Sequence, residues 1–285
     1  MAPDVSLYHA EAAYVDSSTG ASVTLPCAVL YNANIPPNAA LSASCELTLA
    51  TTYTVSLLHS RTNPQHIGGS PHVLTIVPAA TDPDSCAVEF PSGKSIVAGS
   101  RFEAVVIPFD EFKNPTAHAE DAFEGRVELG SSGDNVGDRH VLPTDHSFSE
   151  LQTIAGTHKL YLYHTGTQNE VADSPISFDV IPAEPDAASS SHNIDFESFE
   201  SRKSGAAELE TRVMPLDMFN NTVPAAQGFA VTIDGGEPVS LVGPAFSYTY
   251  MVPAGLSKAL KVSFTLDGEE ISGSPVFIDV APDNT

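Results

Sequence analysis

A short phrase occurs three times in this chain of 285 residues: Gly69-Ser70-Pro71-His72-Val73, Asp173-Ser174-Pro175-Ile176-Ser177 and Gly273-Ser274-Pro275-Val276-Phe277. Each copy opens an alternating apolar run that ends in proline, His72 to Pro78, Ile176 to Pro182 and Val276 to Pro282. Alternation with a period of two marks a strand with one buried face. The serines lie 104 and 100 residues apart, the length of one β-sandwich domain. The chain therefore reads as tandem copies of one module, and repetition of a module without reactive residues points to scaffolding instead of catalysis.

A second phrase fixes the front of the module. Pro108-Phe109-Asp110-Glu111-Phe112-Lys113-Asn114 recurs as Pro215-Leu216-Asp217-Met218-Phe219-Asn220-Asn221, both Pro-x-Asp-x-Phe-x-Asn. Each follows an alternating run, Phe102 to Phe109 and Leu209 to Leu216, which places the Asp and Asn in a loop at a strand's end. Side chains of Asp and Asn hydrogen-bond the backbone of such turns, so Asp110, Asn114, Asp217 and Asn221 are expected to staple their loops, not to bind metal or act as catalytic carboxylates.

These phrases resemble the filamin-type immunoglobulin-like repeat, with its Asp-x-x-Gly-Asn loop after the second strand and its Gly-Ser-Pro-Phe phrase opening the last. Thr157-His158-Lys159-Leu160-Tyr161-Leu162-Tyr163 and Thr52-Tyr53-Thr54-Val55-Ser56-Leu57 resemble worn versions of the family's Gly-x-Tyr-x-Val-x-Tyr strand. Lys113 and Asn220 stand where the family has Gly; if that position needs a positive φ, Asn tolerates it and Lys is strained. The resemblance implies an all-β fold of tandem immunoglobulin-like sandwiches: a partial repeat at 1–80 and repeats at 82–182 and 186–282. It also implies binding of extended partner peptides by strand addition between the third and fourth strands. In the second repeat those strands are expected at Phe123 to Leu129 and about Arg139 to Leu142, with Phe123, Arg126 and Glu128 as binding residues. In the third they are expected at Phe229 to Ile233 and about Val239 to Val242, with Phe229, Val231, Ile233, Val239 and Leu241 as binding residues. Glu124, Arg126 and Glu128 guard the second repeat's edge, whereas Phe229 to Ile233 is uncharged, so the third repeat is the expected stronger binder, with Val231→Pro abolishing binding.

Composition agrees with such an array: 22 Pro and 19 Gly punctuate short runs of Val, Ile, Phe and Thr, and Trp is absent, which disfavours antibody-type domains. The most helix-like stretch, Ser204 to Arg212, is read as the approach to a strand. Aligning His9-Ala10-Glu11-Ala12-Ala13-Tyr14 with His118-Ala119-Glu120-Asp121-Ala122-Phe123 sets Met1 opposite Asp110. The first repeat is therefore expected to lack its first two strands and the chain to be an excerpt; the longer loop Tyr31 to Ser44 is the alternative place for the mismatch. Of the two linkers, the one ending in Ala187-Ala188-Ser189-Ser190-Ser191 is expected to be the freer and the first to be cut by protease. Extended, three such domains would form a jointed rod on the order of 100 Å long.

With 12 basic and 36 acidic residues the net charge is -24, and the first 80 residues hold one basic residue, Arg61. Nucleic acid and anionic lipid surfaces are disfavoured partners. No run of about 18 apolar residues exists, so direct membrane insertion is not expected. Ser92-Gly93-Lys94-Ser95 lacks the upstream Gly of a phosphate loop, and the ten His show no metal-ligand spacing. Gly133 to Asp138 lacks the ligand periodicity of a calcium loop and reads as a turn. No cofactor, metal or enzyme activity is implied. Cys27 and Cys45 either pair across the first sandwich, leaving Cys86 single, or all three are free thiols in a reducing compartment. Two functional classes follow from the resemblance. The leading one is a cytoplasmic, cytoskeletal scaffold that meets actin only through regions outside this chain; the odd Cys count and the lone sequon Asn220-Asn221-Thr222 favour it. The alternative is an extracellular or membrane-tethered adhesion protein, like plant and algal gamete-surface proteins with filamin-type repeats. Both bind protein partners through sheet edges.

Overall fold

Short β-branched and aromatic runs separated by Gly and Pro form strands here, because no apolar stripe is long enough to nucleate a helix. The computed structural model describes residues 4–31, 41–60, 62–116, 121–129, 138–194, 207–253 and 258–280, and the loop 133–138 lies mostly outside them. The fold is all-β, with tandem immunoglobulin-like sandwiches.

The first segment contributes β1 (Tyr8–Val15), β2 (Ser22–Tyr31), β3 (Leu41–Ser44), β4 (Thr52–His59), β5 (Gln65–His66) and β6 (His72–Thr75). Among the described residues they make one sheet in the order β3-β2-β1-β4-β5, with β6 also on β4. Antiparallel register sets Ala12 between Leu25 and Val55 and Ala10 between Cys27 and Leu57, so one face is apolar. Tyr14 meets Tyr53 edge-on across it, ring centroids 5.3 Å apart.

The middle segment supplies β7 (Ala87–Glu89), β8 (Ser95–Val97), β9 (Ser100–Ile107), β10 (Phe123–Leu129), β11 (His140–Val141), β12 (Ser147–Gln152), β13 (Gly156–His164), β14 (Asn169–Glu170) and β15 (Ile176–Ile181). These form two sheets, β12-β9-β7 and β11-β10-β13-β15-β8. Phe102 of one stacks on Phe178 of the other with centroids 3.7 Å apart, and both rings are buried.

In the last segment are β16 (Ser191–His192), β17 (Ala207–Met214), β18 (Phe229–Ile233), β19 (Val239–Ser240), β20 (Ser247–Val252), β21 (Ala259–Leu266), β22 (Glu269–Glu270) and β23 (Val276–Asp279). Again there are two sheets, β16-β17-β20 and β19-β18-β21-β22, with β23 on β21. The core between them holds Leu209, Val213, Phe229, Val231, Phe246, Leu260, Phe264 and Val276. Of the stretch Ser204 to Arg212, the part from Ala207 lies within strand β17, and the rest is outside the described residues.

By density of contacts the chain divides into two compact units. One comprises Met1–Glu89, Val106–Glu124 and Leu162–Ser174; the other comprises Phe90–Val105, Gly125–Tyr161 and Pro175–Thr285.

The repeated Ser-Pro phrase has a specific structural task. In each copy the serine hydroxyl accepts a backbone N–H from the long central strand: Leu57 to Ser70 at 2.7 Å, Leu162 to Ser174 at 3.1 Å and Phe264 to Ser274 at 2.9 Å. The residue before the serine lies in the left-handed region in all three, with φ of 81° at Gly69, 64° at Asp173 and 82° at Gly273, which is why Gly fills it twice and Asp once.

One linker departs from expectation. Ala187 to Ser191 is not a free tether: Ala187 and Ser190 are buried, the Ser190 hydroxyl donates to the Leu216 carbonyl and accepts the Leu216 N–H, and the Ser272 N–H reaches the Ala187 carbonyl. Small residues are what this packed cap requires, and composition alone made them look flexible.

Candidate partner-binding edges and the repeated loops

The two Asp-x-Phe-x-Asn loops have superimposable bonding. Asp110 Oδ1 accepts the N–H groups of Phe112 (2.9 Å) and Asn114 (2.8 Å); Asp217 Oδ1 accepts those of Phe219 and Asn221, both at 2.9 Å. The second carboxylate oxygen accepts the Asn side-chain amide, at 2.9 Å from Asn114 and 2.8 Å from Asn221. Lys113 and Asn220 sit at φ 64° and 65° at the loop tips, and the Lys113 ammonium donates to the Ser85 carbonyl at 3.0 Å. Desolvation acts most strongly on both aspartates and raises their pKa. The bonds from Asn114 and Ala79, and from Asn221 and Ala183, outweigh it together, so both carboxyls are held below the ordinary 3.8.

At the expected binding edges the side chains divide by role. Phe123, Phe229, Val231 and Leu241 are interior and fill cores. Ile233 packs against the last core, half-buried. Arg126 and Glu128 lie two apart on β10, on one face, and pair at 2.9 Å; the Arg126 guanidinium also lies 4.7 Å from the centroid of the Tyr161 ring. They hold each other and a tyrosine, while the buried Arg126 Nε has no hydrogen-bond partner.

The backbone of β18 is occupied on both sides. β21 pairs with it along Phe229 to Ile233, and β19 takes the other side through Ala230↔Ser240, Val231↔Val239 and the Leu241 N–H to the Phe229 carbonyl at 2.8 Å. The strand that ends the sheet is thus β19, and in the middle segment β11. Each is two residues long and carries exposed valines, Val141 at 66% and Val239 at 38%, with Val242 at 75% just beyond. A groove of about 580 Å³ lies beside β19, lined by Pro224, Ala226, Phe229, Leu241, Val242 and Pro244; another of about 270 Å³ lies between Val141 and Phe148. The sequence places the fourth strands at about Arg139 to Leu142 and about Val239 to Val242, and β11 and β19 lie within those stretches, each shortened to two residues.

Cys27 is bonded to Cys45, with Cα atoms 4.4 Å apart, and Cys86 is a buried free thiol. Because Ala28 pairs with Ser44 in the β2–β3 ladder, the bridge joins neighbouring positions of one sheet and does not cross a sandwich. Among the described residues no three His, Cys, Asp or Glu side chains gather to hold a metal, and no helix is long and apolar enough to cross a membrane.

The fold and these edges define an immunoglobulin-like β-sandwich array. No protein-family model matches the sequence, and no curated protein matches it. Among solved structures the chain is similar to FdeC, an Escherichia coli adhesin, at 14% identity over 97% of this chain and 82% of that one, with a TM-score of 0.46. It is also similar to invasin, a bacterial integrin-binding protein, at 18% identity over 96% of this chain and 52% of that one, with a TM-score of 0.45. A filamin domain of Lin-41 matches 36% of this chain and 98% of its own at 11% identity, with a TM-score of 0.30. The filamin type is not singled out among these likenesses.

Proposed function

We propose that this chain is a non-catalytic protein-interaction segment of an extracellular or membrane-tethered adhesion protein, composed of a partial repeat at 1–80 and repeats at 82–182 and 186–282. The observation that carries this reading is the Cys27–Cys45 bridge. Disulfides persist in oxidising compartments and are rare where glutathione keeps thiols reduced. That argument displaces the cytoskeletal, actin-linked reading favoured by the odd cysteine count, since the odd cysteine, Cys86, is buried. The acidic surface serves solubility and steers basic partners toward the array. Partner peptides add in extended form at β19 and, more weakly, at β11, where backbone groups end the sheet and exposed valines flank an apolar groove. Val231, interior and paired on both sides, is a folding position, and Leu241 and by alternation Val239 turn their backbone groups to β18, so the binding test belongs at Ser240, whose N–H faces away from the sheet.

Thiol counting on protein isolated from its own cells tests the placement. Alkylation in denaturant without reductant is expected to modify one cysteine per chain, and three after reduction. Three modified cysteines before reduction would place the chain in a reducing compartment and remove the adhesion reading.

A further inference from the structure

Beyond stapling its own loop, each Asp-x-Phe-x-Asn phrase reaches a segment far away in sequence, and does so identically at two places. Asn114 Oδ1 accepts the Ala50 N–H at 2.7 Å while its Nδ2 donates to the Thr48 carbonyl at 2.8 Å. Asn221 repeats this on Ala155 at 2.8 Å and Thr153 at 2.8 Å. The loop aspartates hold the chain between: Asp110 Oδ2 accepts the Ala79 N–H at 3.0 Å, and Asp217 Oδ2 accepts the Ala183 N–H at 2.9 Å.

The receiving turns match each other as well. Thr48-Leu49-Ala50 precedes Tyr53, whose hydroxyl donates to the Leu49 carbonyl at 3.1 Å. Thr153-Ile154-Ala155 precedes His158, whose Nε2 lies 2.8 Å from the Ile154 carbonyl and therefore carries the proton. Both rings are buried and brace the turn from four residues downstream, the arrangement of a tyrosine corner. A carboxamide presents one donor and one acceptor side by side, so it pairs with the C=O of residue i and the N–H of residue i+2 as another strand's backbone would. Asp would lose the donor, and an apolar side chain would leave both backbone groups unpaired. Each set of bonds lies inside one compact unit, since Val106–Glu124 clusters with Met1–Glu89, and Pro175–Thr285 with Gly125–Tyr161.

We propose that the Asp-x-Phe-x-Asn loop is a latch between successive repeats: its Asp grips the linker, and its Asn reads the Thr-aliphatic-Ala turn of the repeat before it. The surface so defined is the braced turn, and the partner it fits is the loop of another copy of this module. Recognition runs through backbone groups, so the turn tolerates exchange of Leu for Ile and of Tyr for His while the Asn does not tolerate exchange. The latch is independent of where the protein resides and of what it binds.

Hydrogen exchange on the full chain tests it. In Asn221→Ala the Ala155 amide is expected to exchange about ten-fold faster or more, with the Ala50 amide unchanged as the internal control. Asn114→Ala should give the mirror result at Ala50. Exchange altered only within residues 216–222 would reduce the asparagine to a staple of its own loop and overturn the proposal. Should both variants fail to fold, the unmutated protein decides: a scalar coupling across the hydrogen bond, from the Ala155 nitrogen to the Asn221 side-chain carbonyl carbon, is expected, and its absence would overturn the latch equally.

Discussion

Replacing Ser274 by Ala removes one oxygen and isolates one amide. The β21–β23 ladder ends at Val262↔Val276, and two residues further on the Phe264 N–H has the Ser274 hydroxyl as its acceptor at 2.9 Å. Phe264 is fully buried at the centre of the last core, so its N–H cannot simply turn to water. An orphaned buried donor costs about 1–3 kcal/mol, and the missing hydroxyl leaves too little space for a cavity penalty to compete. For a sandwich of this size each kcal/mol moves the melting temperature by about 4–8 °C, so a loss near 2 kcal/mol lowers it by roughly 8–16 °C. Urea unfolding of Ser274→Ala, with exposed Ser272→Ala as the control, reads the difference directly. A melting temperature within about 2 °C of the parent, with Phe264 still protected from exchange, would show that the hydroxyl is not the reason the phrase repeats.

Positive-φ sites give a paired test. At Lys113 the relief of about 1–2 kcal/mol from Gly is offset by the lost bond to Ser85 and by glycine's entropy, so Lys113→Gly changes stability by less than about 0.5 kcal/mol, not by the full strain. Asp173→Gly, at an exposed site with φ 64°, stabilises by about 0.5 kcal/mol, and calorimetry showing Lys113→Gly to be the more stabilising of the two would refute this accounting. Because Asp110 and Asp217 have folded-state pKa values below 3.8, their contribution is fully present above that value and is lost as pH falls through the lower folded one; melting temperatures should drop as the pH is taken below 3.8, and less steeply in Asp217→Asn. On the surface reading, exposed Asn220 in Asn220-Asn221-Thr222 carries an N-glycan in a eukaryotic secretory host, seen as a mass loss on deglycosylation that Thr222→Ala abolishes.

How much was legible depended on whether a residue acts through its neighbours in sequence. Ser70, Ser174 and Ser274 announced the last strands because proline and alternation sit beside them, and Asp110 and Asn114 announced a turn because their loop partners are within four residues. The same Asn114 also bonds Thr48 and Ala50, and no local pattern encodes that reach. Tyr53 and His158 share a task, yet one reads as an aromatic strand residue and the other as a scattered histidine; only their common acceptor position, four residues upstream, joins them. Phe229 and Val231 looked available because the strand is uncharged. Their apolarity instead reflects burial, and the outer strand is β19, within the expected Val239 to Val242 stretch.

Binding at that edge is the most direct test of the account. A ¹⁵N-labelled chain titrated with a library-selected extended peptide should show shifts at Val239 to Val242 and along the groove beside Phe229, and Ser240→Pro, in a chain that remains folded, should remove them. Shifts confined to other surfaces, or unchanged by Ser240→Pro, would contradict strand addition at β19 and with it the proposed mode of binding.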